Sequence, residues 1–276
     1  MSTLFFRLLP YLRHPQASVA SCRSKFSTKE ASVLADFLVD LACGQKPSNE
    51  TLPIQDETCF DIVEPALQEL AASAFGTMVA NRNGSPLWRQ KTVHSAIKKL
   101  REHGQFTDAP TRPAAAMCSH IVIQSQLSTV PKDSCDFLVR AIARGLIKEV
   151  SRTSTTESQP TPASQQDAGL VDLLTAASIK LLAAGPSKVK SYAPTFCLCY
   201  LRLCTMEVLV GTGPVLLSLQ GLTIALGYVT SESGFSDLRN AVVGMTLSLL
   251  NHPFGLIRQA TLQVRNKWSV AAAVGR

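Results

Sequence analysis

Residues 247–260 read LSLLNHPFGLIRQA, and this stretch decides the fold that the sequence predicts. Leucines end one apolar helical run, His252 and Pro253 interrupt it, and Ile257 and Ala260 belong to the next run at helical spacing. Because proline has no amide hydrogen to donate inside a helix, the first helix is expected to end at the turn that contains Pro253. The stretch therefore predicts two helices that pack against each other across a short turn.

A similar arrangement occurs near the start of the chain, where residues 8–22 read LLPYLRHPQASVASC. When the two stretches are aligned on their His-Pro pairs, Leu12 matches Leu250 and Val19 matches Ile257. The offset between the pairs is close to six times a period of about 40 residues, which is usual for repeats of two or three helices. The sequence therefore favours an array of repeated helical units.

The details of these stretches resemble the HEAT repeat: a leucine-rich helix end, a proline turn, a β-branched residue four positions on, and then Arg and a small residue. The copy at 247–260 keeps Arg258 and Ala260, whereas the copy at 8–22 departs from the pattern at both places. Residues 85–89, SPLWR, followed by an apolar helical stripe, give a third and poorer match. The resemblance implies an α-solenoid of stacked helix pairs, HEAT or armadillo-like.

Helical periodicity extends over most of the chain. The one short β-branched run, residues 120–123, lies inside a helical frame, so the predicted fold class is all α. Apolar residues spaced three and four apart predict helices over 3–14, 28–43, 58–81, 86–103, 114–127, 133–150, 168–184, 192–210, 213–230, 236–251 and 254–268.

A stretch rich in Ser, Thr, Gln and Pro at residues 151–166 has almost no apolar side chains to offset the cost of ordering its backbone. It predicts N-terminal helical repeats over 1–150, a flexible and disordered linker over 151–167, and C-terminal helical repeats over 168–276. Because a solenoid normally ends in a polar capping helix, the apolar end of the sequence leads us to expect a truncated form of a larger repeat protein.

Composition places the chain among globular proteins, since 46% of its 276 residues are hydrophobic and 17% are charged, with a net charge of +7. Eight cysteines are too few for a secreted disulfide scaffold, and we interpret them as reduced thiols. The one cluster, Cys197, Cys199 and Cys204, lacks the paired spacing and the fourth ligand of a zinc site. The sequence predicts no metal site.

No catalytic signature is present. The sequence contains no phosphate-binding loop, no G-x-S-x-G and no H-E-x-x-H. Residues 95–98, SAIK, fit the S-x-x-K pattern of β-lactamases without the other signatures of that class. We therefore expect a protein that is not an enzyme and has neither a cofactor nor catalytic residues.

A basic helical face is the candidate binding site. It consists of five cations without an intervening acid: Arg89, Lys91, Lys98, Lys99 and Arg101. Such a face suits an acidic protein partner, and nucleic acid less well because no aromatic residues are interleaved for stacking. We expect a scaffold or adaptor in the cytoplasm or nucleus. A similarity to the large armadillo-like proteins of meiotic chromosome recombination, for which no motif can be quoted, would imply chromosome or meiotic processes.

Two features support an alternative hypothesis, a mitochondrial or membrane-associated helical protein. Residues 1–29 contain five cations and no acid, which is typical of a transit peptide. Residues 208–231 carry no charge and are long enough to span a membrane. Gly213 and Pro214 interrupt that stretch, however, so buried helices of a solenoid explain it better than a membrane span does.

Overall fold

The computed structural model describes residues 28–44, 65–80, 85–102, 110–125, 127, 130–155, 163–186, 188–206, 210–230 and 234–274. These ranges hold ten long helices and no strand, which confirms the all-α prediction for the described residues. The helices are α1 Thr28–Ala42, α2 Pro65–Ala80, α3 Pro86–Glu102, α4 Arg112–Gln124, α5 Lys132–Thr155, α6 Ala163–Ala184, α7 Val189–Thr205, α8 Thr212–Val229, α9 Phe235–Leu249 and α10 Gly255–Val274.

Each of these helices coincides with a predicted one to within several residues at its ends. The β-branched run at 120–123 is helical, as its frame indicated, because α4 buries Ile121 and Val122 on its apolar side. The predicted helix at 3–14, the repeat-like copy at 8–22 and all but the last two residues of the possible transit peptide lie outside the described residues.

The chain divides into two compact units, Met1–Val130 and Pro131–Arg276. In unit 1, α1 packs on α2 and α3, and α2 packs most extensively on α4. The core between these helices is formed by large side chains that are almost fully buried, and each contributes about 1.5–3 kcal/mol through removal from water. They include Phe75, Ile97, Leu100, Met117 and Ile121.

In unit 2, α8 is the central helix and packs on α6, α7 and α10. Helix α7 also contacts α5 and α9, while α5 packs on α6 and α9 on α10. The core side chains include Leu138, Phe196, Tyr200, Leu222 and Trp268. Trp268 is fully enclosed: its indole Nε1 donates to Leu222 O at 3.0 Å, and its ring stacks on Phe235.

Helix α5 belongs to unit 2, because its apolar residues pack on α6 and α7. The composition of residues 151–167 instead assigned this helix to the N-terminal part. The helices extend into that stretch from both sides, α5 to Thr155 and α6 from Ala163, and residues 156–162 lie outside the described ranges. Polar composition marks a connection between helices, whereas the packing of the helices themselves decides the unit to which each belongs.

Within the described part of the chain, α8 is the one helix long and apolar enough to cross a membrane. Three helices surround it, and Leu219, Leu222 and Val229 on it are fully buried. A central helix that contacts neighbours on several sides needs apolar residues around most of its circumference. The contacts within unit 2 account for the 44% of α8 that is buried.

Candidate partner-binding surface

Helix α3 carries the five cations that the sequence singled out. Pro86 is its first residue, a position where the missing amide hydrogen has no helical acceptor in any case. Its apolar stripe of Val93, Ala96, Ile97 and Leu100 is buried in unit 1. Burial of this stripe determines which cations can reach solvent.

One edge of α3 forms polar contacts with α1. The Trp88 indole Nε1 donates to Ser32 Oγ at 3.0 Å, and Ser95 Oγ donates to Asp36 Oδ1 at 3.2 Å. All four side chains are at least partly exposed, so these contacts line the margin of the interface and not its core.

Lys99 lies on the same edge and contributes to the α1–α3 interface. Its ammonium group is 2.8 and 2.9 Å from the two carboxylate oxygens of Asp40, and it also donates to Asp36 O at 3.4 Å. The side chains of Lys99 and Asp40 are 28% and 22% exposed. Asp40 therefore neutralises the charge of Lys99 within the fold, a contact that the sequence of α3 alone does not indicate.

The other cations of α3 differ in exposure. Lys91, Lys98 and Arg101 are exposed, whereas Arg89 is half-buried. Lys98 is 3.7 Å from Glu102, in a pair so exposed that it adds little to stability. The structure thus divides the predicted basic face: three residues face solvent, and Lys99 is engaged with α1.

The His-Pro turn between α9 and α10 shows what the repeat-like motif does locally. The guanidinium Nη1 of Arg258 donates to His252 O at 2.6 Å and to Pro253 O at 2.9 Å. These carbonyls lie in the turn after the end of α9, where helical N–H donors are missing, so Arg258 donates to acceptors that would otherwise depend on water. Ile257 is fully buried, as expected for the residue that packs the second helix back on the first.

The cysteines on α7 lie in the core of unit 2. Cys197, Cys199 and Cys204 are buried free thiols, and burial raises the pKa of Cys197 and of Cys199 to about 12. Thiols with such a high pKa stay protonated and are poor nucleophiles. Among the residues with described positions, no group of three or more His, Cys, Asp or Glu side chains could hold a metal ion.

Unit 2 has a second set of cations that the sequence reasoning did not single out. They occupy α5 at steps of four residues, the spacing that places side chains on one side of a helix. Their spacing of four residues is the pattern that could have identified these cations from the sequence. The four cations are Arg140, Arg144, Lys148 and Arg152.

Comparison of the chain with protein-family models, with curated proteins and with solved structures gave no match in any of the three.

Proposed function

We propose that the chain is a helical-repeat scaffold of the HEAT or armadillo-like α-solenoid type, which binds another macromolecule, most favourably a protein, and catalyses no reaction. The observation that carries the proposal is the order of helix contacts in unit 2. Helices α5, α7 and α9 contact one another in sequence, as do α6, α8 and α10. Cross-contacts join α5 to α6, α7 to α8 and α9 to α10. Two rows of helices joined pairwise are the arrangement of a solenoid.

The directions of neighbouring helices in unit 1 support this arrangement. In a stack of helix pairs, helices of the same row run parallel, because each pair repeats the one before it. The contacts between α1 and α3 advance in the same direction along both helices, from Ser32 with Trp88 to Asp40 with Lys99. These two helices are therefore parallel.

The second row of unit 1 behaves in the same way. Arg112 Nη1 is 3.6 Å from Glu69 Oε1, and eight residues further along α4 the His120 ring covers Gly76. A Cβ at Gly76 would lie only 2.4 Å from the ring atoms of His120. Both contacts advance together, so α2 and α4 are parallel.

Helices α6 and α8 of unit 2 show the same direction. A Cβ on Gly213 would lie 3.3 Å from Asp172 Oδ1, and at the far end Tyr228 Oη donates to Leu182 O at 2.6 Å. By contrast, α9 and α10 are antiparallel: a short turn joins them, and at the other end Arg239 Nε donates to Trp268 O at 3.3 Å. Helices of the same row are parallel, and the pair that joins the two rows, α9 and α10, is antiparallel. Both features support the solenoid proposal.

A solenoid recognises its partners along the surface that its stacked helices present, and this recognition needs no catalytic group. The exposed cations of α3, namely Lys91, Lys98 and Arg101, are one place where an acidic protein would be attracted. The proposal includes a cytoplasmic or nuclear location. The chromosomal or meiotic setting stays a prediction from resemblance.

The test is direct binding by the purified full-length chain. Proteins captured by the immobilised chain are identified by mass spectrometry, purified, and titrated calorimetrically against the wild type and against K91E/R101E. We expect at least one captured protein to bind the purified chain with a micromolar or lower dissociation constant. It would be overturned if no captured protein bound the purified chain directly.

A further inference from the structure

The outer surface of α5 and α7 in unit 2 is strongly cationic. From Arg140 to the end of α5, four cations occur against one acid, Glu149, which is buried. Helix α7 and the residue before it add Lys188, Lys190 and Arg202 without any acid. The cations of α5 are about 6 Å apart along the helix and span about 18 Å, since each residue rises by about 1.5 Å.

These cations lie on two neighbouring helices of unit 2. Helices α5 and α7 contact each other, and α6 and α8 cover their inner sides. Arg140, Lys148, Lys188 and Lys190 are exposed, and no acidic side chain pairs with them within the described ranges. Arg152 is 42% exposed although its Nη2 is 3.1 Å from Glu149 Oε2. The acids of α5 that share this exposed side, Asp133 and Asp136, are confined to its first two turns.

Apolar side chains are exposed among the cations. Ile147, 41% exposed, lies one turn from Arg144 and beside Lys148 on α5, and Leu198, 61% exposed, lies one turn before Arg202 on α7. Cations with apolar residues between them are complementary to a ligand that combines carboxylates with apolar side chains.

We propose that the α5–α7 surface docks a protein segment rich in both acidic and apolar residues. Carboxylates eight residues apart on a helical ligand have the same spacing of about 12 Å as the exposed cations Arg140 and Lys148 of α5. Nucleic acid fits less well, because single strands bind through stacking on exposed aromatic side chains, and among the described aromatic residues of these two helices all are buried except Tyr192, which is half-buried. This inference rests on the proposed scaffold function and specifies the chemical character of a partner for the α5–α7 surface, which is separate from the cations of α3.

The experiment selects ligands without assuming a natural partner. A display library of random peptides of about 16 residues, long enough to span the stripe as a helix, is selected on the intact chain. We expect the selected peptides to combine Asp or Glu with Leu, Ile or Phe. Synthetic copies should bind R140E/K148E about tenfold more weakly or worse than the wild type, because reversed charges repel the carboxylates.

Two matched control variants test whether the loss of peptide binding depends on the sign of the charge and on its position in the α5–α7 surface. R140K/K148R keeps the charges and should retain binding, and K29E/K267E reverses two exposed charges on α1 and α10 and should leave it unchanged. Peptides without an acidic bias, or equal binding by R140E/K148E, would overturn the inference. Tighter binding of an oligothymidine of similar length, with displacement of the peptide, would overturn it in favour of nucleic acid. The scaffold proposal has its own readout, since a natural partner could bind elsewhere while this selection fails.

Discussion

Gly221 on α8 lies directly under the ring of Tyr200, and a Cβ at this position would be 2.5 Å from Tyr200 Cε2. The ring cannot easily turn away, because it is fully buried and its hydroxyl is 2.7 Å from Ser178 Oγ. We expect Gly221→Ala to lower the free energy of unfolding of unit 2 by about 1–3 kcal/mol through overpacking. Urea denaturation followed by Trp268 fluorescence, in a chain whose Trp88 is replaced by Phe, measures this effect.

Gly227 is the matched control for that substitution. It lies on the same helix, is exposed, and has no other atom within 4 Å of an added Cβ. Gly227→Ala should therefore raise the free energy of unfolding by about 0.5–1 kcal/mol, since alanine loses less backbone entropy in a helix. Equal effects of the two substitutions would contradict the close contact between α7 and α8.

His120 makes the stability of unit 1 dependent on pH. Burial lowers the pKa of its imidazole to about 4, so the unfolded chain binds a proton that the folded chain rejects between about pH 4 and 6.5. Stability is complete above the unfolded pKa and falls as the pH is lowered through this window. The free energy of unfolding of unit 1 should fall by about 2 kcal/mol between pH 7 and pH 5.

The measurement for His120 is urea denaturation at both pH values with 5-fluorotryptophan incorporated, because each unit contains one tryptophan and ¹⁹F NMR separates the two signals. In His120→Gln, which does not titrate, the Trp88 signal should lose this part of its pH dependence. An unchanged dependence in that variant would assign the effect to other groups.

Individual residues also show where sequence reasoning stops. Gly76, Gly221 and Gly227 all occur in helical runs, and no local pattern separates the two that lie against a ring from the one that faces open space. The distinction depends on side chains from other helices. The helical character of the runs, in contrast, follows from spacing within a few residues and was predictable.

At the scale of the helix, two adjacent lysines of α3 have different roles, because only one of them contacts α1. Lys99 forms a two-oxygen contact with Asp40 at the margin of the interface, and Lys98 is paired with Glu102 in solvent. A double-mutant cycle with Lys99→Ala and Asp40→Ala should give a coupling energy of about 1 kcal/mol, near the upper end for partly exposed ion pairs.

The corresponding cycle for Lys98 and Glu102 is the control, and its coupling energy should be about 0.3 kcal/mol or less, since both side chains are largely exposed. Both cycles use the Trp88 signal, which reports on unit 1. Similar coupling energies in the two cycles would contradict the assignment of Lys99 to the interface.

Sequence alone predicted the helices but grouped these lysines with the other cations of α3. The acids that lie opposite Lys99 are about 60 residues earlier in the chain, and helical periodicity carries no information on such distant pairs. The α5 cations, in contrast, were visible as a spacing of four residues, and their exposure became clear only with the packing of α5.

For the whole molecule, the two units follow helix packing and not composition. The polar stretch at 151–167 predicted a boundary there, whereas α5 packs on α6 and α7 and the chain divides between Val130 and Pro131. A polar loop between two paired helices has the same composition as a linker between domains, since both avoid burial. The two-row order, likewise, depends on contacts between helices that no local pattern specifies.

The most direct test of the two-row arrangement measures the relative direction of α6 and α8. Nitroxide labels are attached to ketone-bearing residues introduced by amber suppression, which leaves the native thiols untouched, at the exposed positions Gly169, Ala184, Thr212 and Gly227. Pulsed electron–electron double resonance then measures the distance between the two nitroxide labels of each pair. Parallel helices predict similar short distances for 169–212 and 184–227, and a distance for 169–227 that is longer by up to about 20 Å. A short 169–227 distance, with long 169–212 and 184–227 distances, would mean that the helices are antiparallel and would contradict the solenoid.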